Sequence, residues 1–205
     1  EAHFADEAVD ADLGRRLYGQ AASKAVQVFE LLARRYDVVV ANPPYMGSKN
    51  MGDVVRPYVE KHYESGKRDL YAAFMLRCLE LCCDEGRVGV VVPQPWMFFS
   101  SYEQLRYLTP EKLAEKAAKP GANLYRGLLA LTTLETLAQL GRHAFEEADP
   151  PSNVALVVFT QRPPADDQKL TAFRLHTSRP SAEQASLLRT GVRDKRAAFR
   201  FETRQ

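Results

Sequence analysis

An α/β fold is predicted from three observations: two β-branched runs that each stop at prolines, an apolar helical stretch between them, and a third apolar run farther along the chain. Tyr36 to Ala41 (YDVVVA) reads as a buried strand. Asn42-Pro43-Pro44 ends it, because proline has no N–H to offer a ladder. Asp69 is placed to cap a helix running from Leu70 to about Cys83, with Gly86 just past its far end. The apolar residues of that helix surround its axis, the pattern of a helix covered on several sides. Arg87 to Val92 (RVGVVV) is a second buried strand, halted at Pro93 and Pro95. Strand, helix, strand predicts a parallel βαβ unit. Its two strand ends send their loops, Asn42 to Tyr45 and Pro93 to Phe99, toward one sheet edge, where such folds bind ligands.

The remaining elements follow from the same signals. Asp12 to Arg35 reads as a helix, with Leu13, Leu17, Val28, Leu31 and Leu32 near helical spacing. Leu124 to Leu140 also reads as a helix, Val154 to Gln161 as a strand, and Leu170 to Leu175 as a last edge strand. Pro110 to Pro120 is expected to be an exposed excursion. Beyond Ser181 the chain turns basic, with Arg189, Arg193, Lys195, Arg196, Arg200 and Arg204. Expected boundaries are a helical lead-in over 1–35, a main α/β unit over 36–176, and a basic segment over 177–205 that leads toward a further domain.

Composition narrows the class without naming it. The 205 residues have ordinary apolar and charged fractions and a formal net charge of +2, too mild to mark a nucleic-acid binder without a local cluster of basic residues. No apolar run reaches the ~18 residues of a membrane span. Cys78, Cys82 and Cys83 lack the spacing of a zinc site or disulfide framework and are expected to be buried thiols in a reducing cytosol. Neither a metal nor a membrane is expected, and a cytoplasmic location is.

Asn42-Pro43-Pro44-Tyr45 carries the chemistry. The plain alternative is a stiff turn, since Asn-Pro and Pro-Pro are common turn formers. Its placement directly after an apolar strand instead puts a carboxamide and an aromatic ring at the ligand edge. An exocyclic amino group on a base is a poor nucleophile because its lone pair is delocalised into the ring. Two acceptors on its two N–H bonds localise that pair, and the Asn42 side-chain oxygen and the Pro43 carbonyl can supply them. Pro44 holds the backbone, and Tyr45 can stack on a base that has left the duplex. No metal and no strong general base is needed.

With these residues in view, the chain resembles the amino-group DNA methyltransferases, most closely the large PglX-type adenine methyltransferases of BREX phage defence and the related type IIG restriction-modification enzymes. Four stretches carry the resemblance: YDVVVANPPYMGSKNM, KRDLYAAFMLRCLEL, EGRVGVVVPQPWMFFSSYEQLR and LGRHAFEEADPPSNVALVVF. It implies a partial Rossmann-like S-adenosylmethionine-dependent methyltransferase fold, a mixed sheet with helices on both faces. It further implies methyl transfer from S-adenosyl-L-methionine to the N6 amino group of a flipped adenine in double-stranded DNA, with other defence-system subunits as further partners. By the same resemblance Phe74 lies against the cofactor adenine, the alternative being a core phenylalanine. Phe145 becomes a second stacking wall for the target base, the alternative again being ordinary packing. Trp96 to Phe99 and Ser100 to Tyr102 are expected beside the site, shaping the pocket.

Part of the family pattern is not visible. Gly14 and Gly19 lie in helical sequence, and Gly121, Gly127, Gly141 and Gly191 have no strand-loop-helix context, so no glycine-rich cofactor loop stands out. With Glu1 rather than Met at its start, the chain is expected to be the second, target-base half of a catalytic domain, inactive and weak in cofactor binding by itself. Two rivals remain: a methyltransferase for protein glutamine or RNA, and a non-catalytic DNA-binding or scaffolding remnant of the fold.

Overall fold

The computed structural model describes residues 21–108, 114–115, 118, 127–141, 153–174, 181–194 and 199–202. The chain divides into two compact units, Glu1–Arg35 and Tyr36–Gln205. In the first, residues 21–33 form helix α1. In the second, the described residues build a six-stranded mixed sheet from β1 (Tyr36–Ala41), β2 (Cys82–Pro93), β3 (Thr133–Gly141), β4 (Val154–Thr160), β5 (Lys169–Arg174) and β6 (Phe199–Glu202). The strand order is β1-β2-β4-β3-β5-β6.

The βαβ unit is present as expected. β1 and β2 are parallel, with Ala41 opposite Val90. α3 (Leu70–Leu81), preceded by the shorter α2 (Val55–His62), makes the crossover and packs on both strands. Asp69 caps α3 by accepting a hydrogen bond from the Tyr71 backbone N–H. From the inner side of α3, Tyr71, Met75, Cys78 and Leu79 meet Val88, Val90 and Val92 of β2 and Val157 and Phe159 of β4 in one core. Each such side chain contributes roughly 1.5–3 kcal/mol by leaving water. α4 (Pro95–Phe98), α5 (Glu103–Arg106) and α6 (Leu128–Leu131) close the end of this core with Trp96, Leu105 and Leu128. Burial holds the Cys78 thiol at about 11, so it is inert at neutral pH.

Four expectations are corrected. The stretch 124–140 is not one helix: Leu128–Leu131 makes a single turn, and Thr133–Gly141 is a strand between β4 and β5. Its Leu, Glu, Ala and Gln residues favour helix, and backbone pairing on both sides overrides that preference. β2 begins at Cys82, so Gly86 is no helix terminator. It sits inside the strand, where an added Cβ would lie 2.9 Å from the Asp37 carbonyl oxygen and 2.7 Å from the Cys82 sulfur. β1 is not buried: among the described residues it is the outermost strand, and Val38 and Val40 are 63% and 76% exposed. β5 is not the edge, because β6 pairs antiparallel along its other side.

The basic stretch beyond Ser181 contains a helix, α7 (Ser181–Asp194), followed by β6. Most of the 110–120 excursion lies outside the described residues. Among the described residues no helix is long and apolar enough to cross a membrane.

Candidate active site

The strand ends of β1 and β2 position the site. The sheet pairing of β1 stops at Ala41, and Asn42, Pro43, Pro44 and Tyr45 follow as an irregular loop in which Pro43 is buried and the other three are exposed. Tyr45 reaches back over the neighbouring strand: its hydroxyl lies 3.4 Å from Asn42 Oδ1 and 3.3 Å from the Val91 carbonyl oxygen of β2. A phenol has one proton to donate, and both separations exceed the ~2.7–2.8 Å of a strong O–H···O bond. The Asn42 oxygen is therefore only loosely engaged and can accept from another donor. Among the described residues the Pro43 carbonyl accepts no hydrogen bond. Burial pushes the Tyr45 hydroxyl above its ordinary pKa, so it stays protonated at neutral pH and is not a base.

Beneath Tyr45 lies an aromatic stack that the sequence did not single out. The Tyr45 ring meets Tyr71 of α3 edge-on, with centroids 6.2 Å apart at 85°. Tyr71 in turn stacks on Tyr102 at 5.9 Å and 28°. Edge-to-face and offset pairs are the favoured aromatic geometries, contributing ~0.5–1.5 kcal/mol each beyond burial. The Tyr71 hydroxyl is held well above the phenol range, first by burial and then by the Tyr102 hydroxyl beside it. Tyr102 was expected beside the site, whereas the only signal for Tyr71 was its place in one of the four stretches that carry the family resemblance.

Asp69 ties the loop to the helix. Its Oδ1 accepts from the Tyr71 backbone N–H at 3.2 Å and from the Met46 N–H, one residue past Tyr45, at 2.9 Å. The Leu70 N–H returns a bond to the Met46 carbonyl at 2.9 Å. One carboxylate thus caps α3 and fixes where the loop leaves the sheet. Burial raises the Asp69 pKa, partly opposed by backbone donors at Tyr71, Met46 and Leu70. Asp69→Ala is expected to cost ~1–2 kcal/mol in urea unfolding, while Asp69→Asn, which keeps the accepting oxygen, restores most of it. Equal losses in the two variants would remove the anchoring role.

The other predicted residues are dispersed. Phe74 is not in the core: it is 39% exposed and lines a cavity of about 280 Å³ between α2 and α3, with Tyr58, Val59, Tyr63, Leu70 and Arg77. It does not join the Tyr45–Tyr71–Tyr102 stack. Of the stretch after β2, Trp96 is buried against Phe159, Phe98 and Phe99 are exposed, and Tyr102 enters the stack. Arg106 clips this turn by donating to the Trp96 and Phe99 carbonyls at 2.6 and 2.9 Å. Phe145 lies outside the described residues.

Residues 12–119, which include β1, the Asn42–Tyr45 loop, α3, β2 and Tyr102, match the family described as Eco57I restriction-modification methylase. The chain belongs to this family. Among relatives of this methylase domain, the adenine-specific methyltransferase BrxX of Escherichia coli O9:H4 (strain HS) is 36% identical over 132 residues, covering 64% of this chain and 11% of that protein. The adenine-specific methyltransferase PglX of Lacticaseibacillus casei (strain Zhang) is 38% identical over 81 residues, covering 40% of this chain and 7% of that protein. The chain thus spans about a tenth of the length of the curated relatives it matches. Among solved structures, the ATP-dependent type ISP restriction-modification enzyme LlaBIII bound to DNA superposes with a TM-score of 0.58 at 9% identity, over 89% of this chain and 13% of that one. That likeness reaches past the residues matched to the methylase family and shows a common fold.

Proposed function

We propose that this methylase domain forms the target-base face of a DNA adenine-N6 methyltransferase acting in phage defence or restriction-modification. The observation that carries this is the open pair of acceptors at the end of β1, the Asn42 side-chain oxygen and the Pro43 carbonyl, beside a Tyr45 ring propped on Tyr71. A flipped adenine stacks on Tyr45 and donates its two N6 hydrogens to Asn42 and Pro43. The Tyr45 hydroxyl, weakly shared between Asn42 and Val91, gives up Asn42 as the base arrives. Drawing on both hydrogens turns the N6 lone pair outward for in-line attack on a methyl group, whose bond to sulfur breaks as the bond to N6 forms, and the surplus N6 proton then passes to solvent. Phe145 is the proposed second wall of the base pocket.

S-adenosyl-L-methionine supplies an electrophilic sulfonium methyl group when bound. The cavity beside Phe74 suits its adenine ring: at about 280 Å³ it is near the small end of ligand sites, and three aromatic rings, Tyr58, Tyr63 and Phe74, face it. These residues hold and orient a flat ring and take no part in proton transfer.

The test is the product. Full-length protein expressed with its companion subunits in a host lacking adenine methylation is expected to yield N6-methyladenine on mass spectrometry of digested DNA. Methylated glutamine or methylated RNA without modified DNA would move the substrate to the rival class, and no methylated product of any kind would favour a non-catalytic remnant.

A further inference from the structure

The loop that follows Tyr45 runs antiparallel to the segment that leads into α3. Gly47 bridges Asp69, and the Ser48 N–H donates to the Arg68 carbonyl at 3.0 Å. Lys49 follows Ser48 and Lys67 precedes Arg68, so this backbone bond draws two basic segments of the chain together. Lys49, Lys67 and Arg68 are all exposed. Among the described residues none of the three pairs with a carboxylate. Asp69, the acid that shares this pairing, has Oδ1 engaged by two backbone N–H groups. The Ser48–Arg68 bond holds these basic residues a few residues from the base-facing loop. Arg68 also lies close enough to Tyr102 to oppose the effect of burial on that hydroxyl, which puts it near the far end of the aromatic stack.

We propose that Lys49, Lys67 and Arg68 form a phosphate grip for the DNA strand that delivers the flipped base, holding backbone phosphates next to the extruded nucleotide. This rests on the base-flipping reading of the Asn42–Tyr45 loop. The same backbone bonds that anchor the loop set the grip at a fixed distance from the base site, so strand and base are registered together. Phosphate binding of this kind positions the duplex and carries no sequence preference. It also releases condensed counterions, so affinity depends steeply on salt.

The experiment uses the full-length protein and a duplex containing its target, with DNA affinity measured against potassium chloride concentration. Replacing Lys49, Lys67 and Arg68 together by glutamine is expected to flatten the slope of log affinity against log salt by ~2–3, about 0.9 for each phosphate that is no longer neutralised. KM for DNA should rise while kcat at saturating DNA stays near the parent value. Lys49→Arg with Lys67→Arg should restore the slope, and Lys169→Gln on β5 should leave it unchanged, separating a local grip from a general loss of positive charge. An unchanged slope in the glutamine variant, with the parent still methylating adenine, would overturn the grip and leave these residues as a solvated face. A flattened slope in a protein that makes no N6-methyladenine would instead keep the grip and reject the catalytic reading.

Discussion

Asn42→Ala in the full-length protein is expected to abolish adenine methylation, a fall in kcat of at least about a hundredfold, with DNA affinity nearly unchanged. A hundredfold corresponds to ~2.7 kcal/mol of barrier. The size follows from what the side chain does. Its oxygen gains strength as an acceptor only when the amino nitrogen begins to give up its conjugation, so its contribution falls in the transition state and not in ground-state binding. The side chain is exposed at a strand end and supports no part of the core. Its removal should leave the fold intact, which a circular dichroism melt can check. Methylation at parental rates in the alanine variant would sink the two-acceptor mechanism. Loss of DNA affinity to the same degree as activity would shift Asn42 to a binding role.

Gly127→Ala has the largest expected effect on stability, ~3 kcal/mol or more in equilibrium urea unfolding. Gly127 precedes α6 with φ +103° and ψ 150°, a backbone conformation essentially reserved for glycine. An added Cβ would stand 2.3 Å from the Tyr107 Cα and 2.7 Å from the Arg106 carbonyl oxygen, both backbone atoms that no rotamer change can move. Relief requires shifting the end of α5, which carries the fully buried Leu105 and the Arg106 side chain that clips the Trp96 turn. Backbone strain and lost packing therefore add. A loss below ~1 kcal/mol would mean that the turn before α6 relaxes independently of α5.

These two residues sit at opposite extremes of what the sequence made readable. Asn42 stood out because its surroundings are local: a valine-rich strand, two prolines and a tyrosine in succession, a pattern that restricts the backbone whatever surrounds it. Gly127 showed no context in the sequence, because the atoms that forbid a side chain there belong to residues 106 and 107, brought close only by the packing of α5 against α6. Asp69 falls between the two. Its cap on α3 is local and was legible, whereas its bond to Met46 joins segments 23 residues apart and was not.

By itself the sequence determined β1, β4, the core of α3 and most of β2, the loop at the end of β1, and the family, since each rests on short-range pattern: β-branched runs, a capping carboxylate, prolines that end ladders. Tertiary structure decided the rest. A valine run reads the same at the centre of a sheet and at its edge, so only the pairing order revealed that Val38 and Val40 are exposed. Helix-favouring residues over 133–141 become a strand because β4 and β5 bond to them on both sides. The Tyr45–Tyr71–Tyr102 stack exists because the βαβ crossover returns α3 and the end of β2 to the same loop. Local propensity is a matter of about 1 kcal/mol per residue, and long-range pairing and burial, summed over a strand or a stack, exceed it.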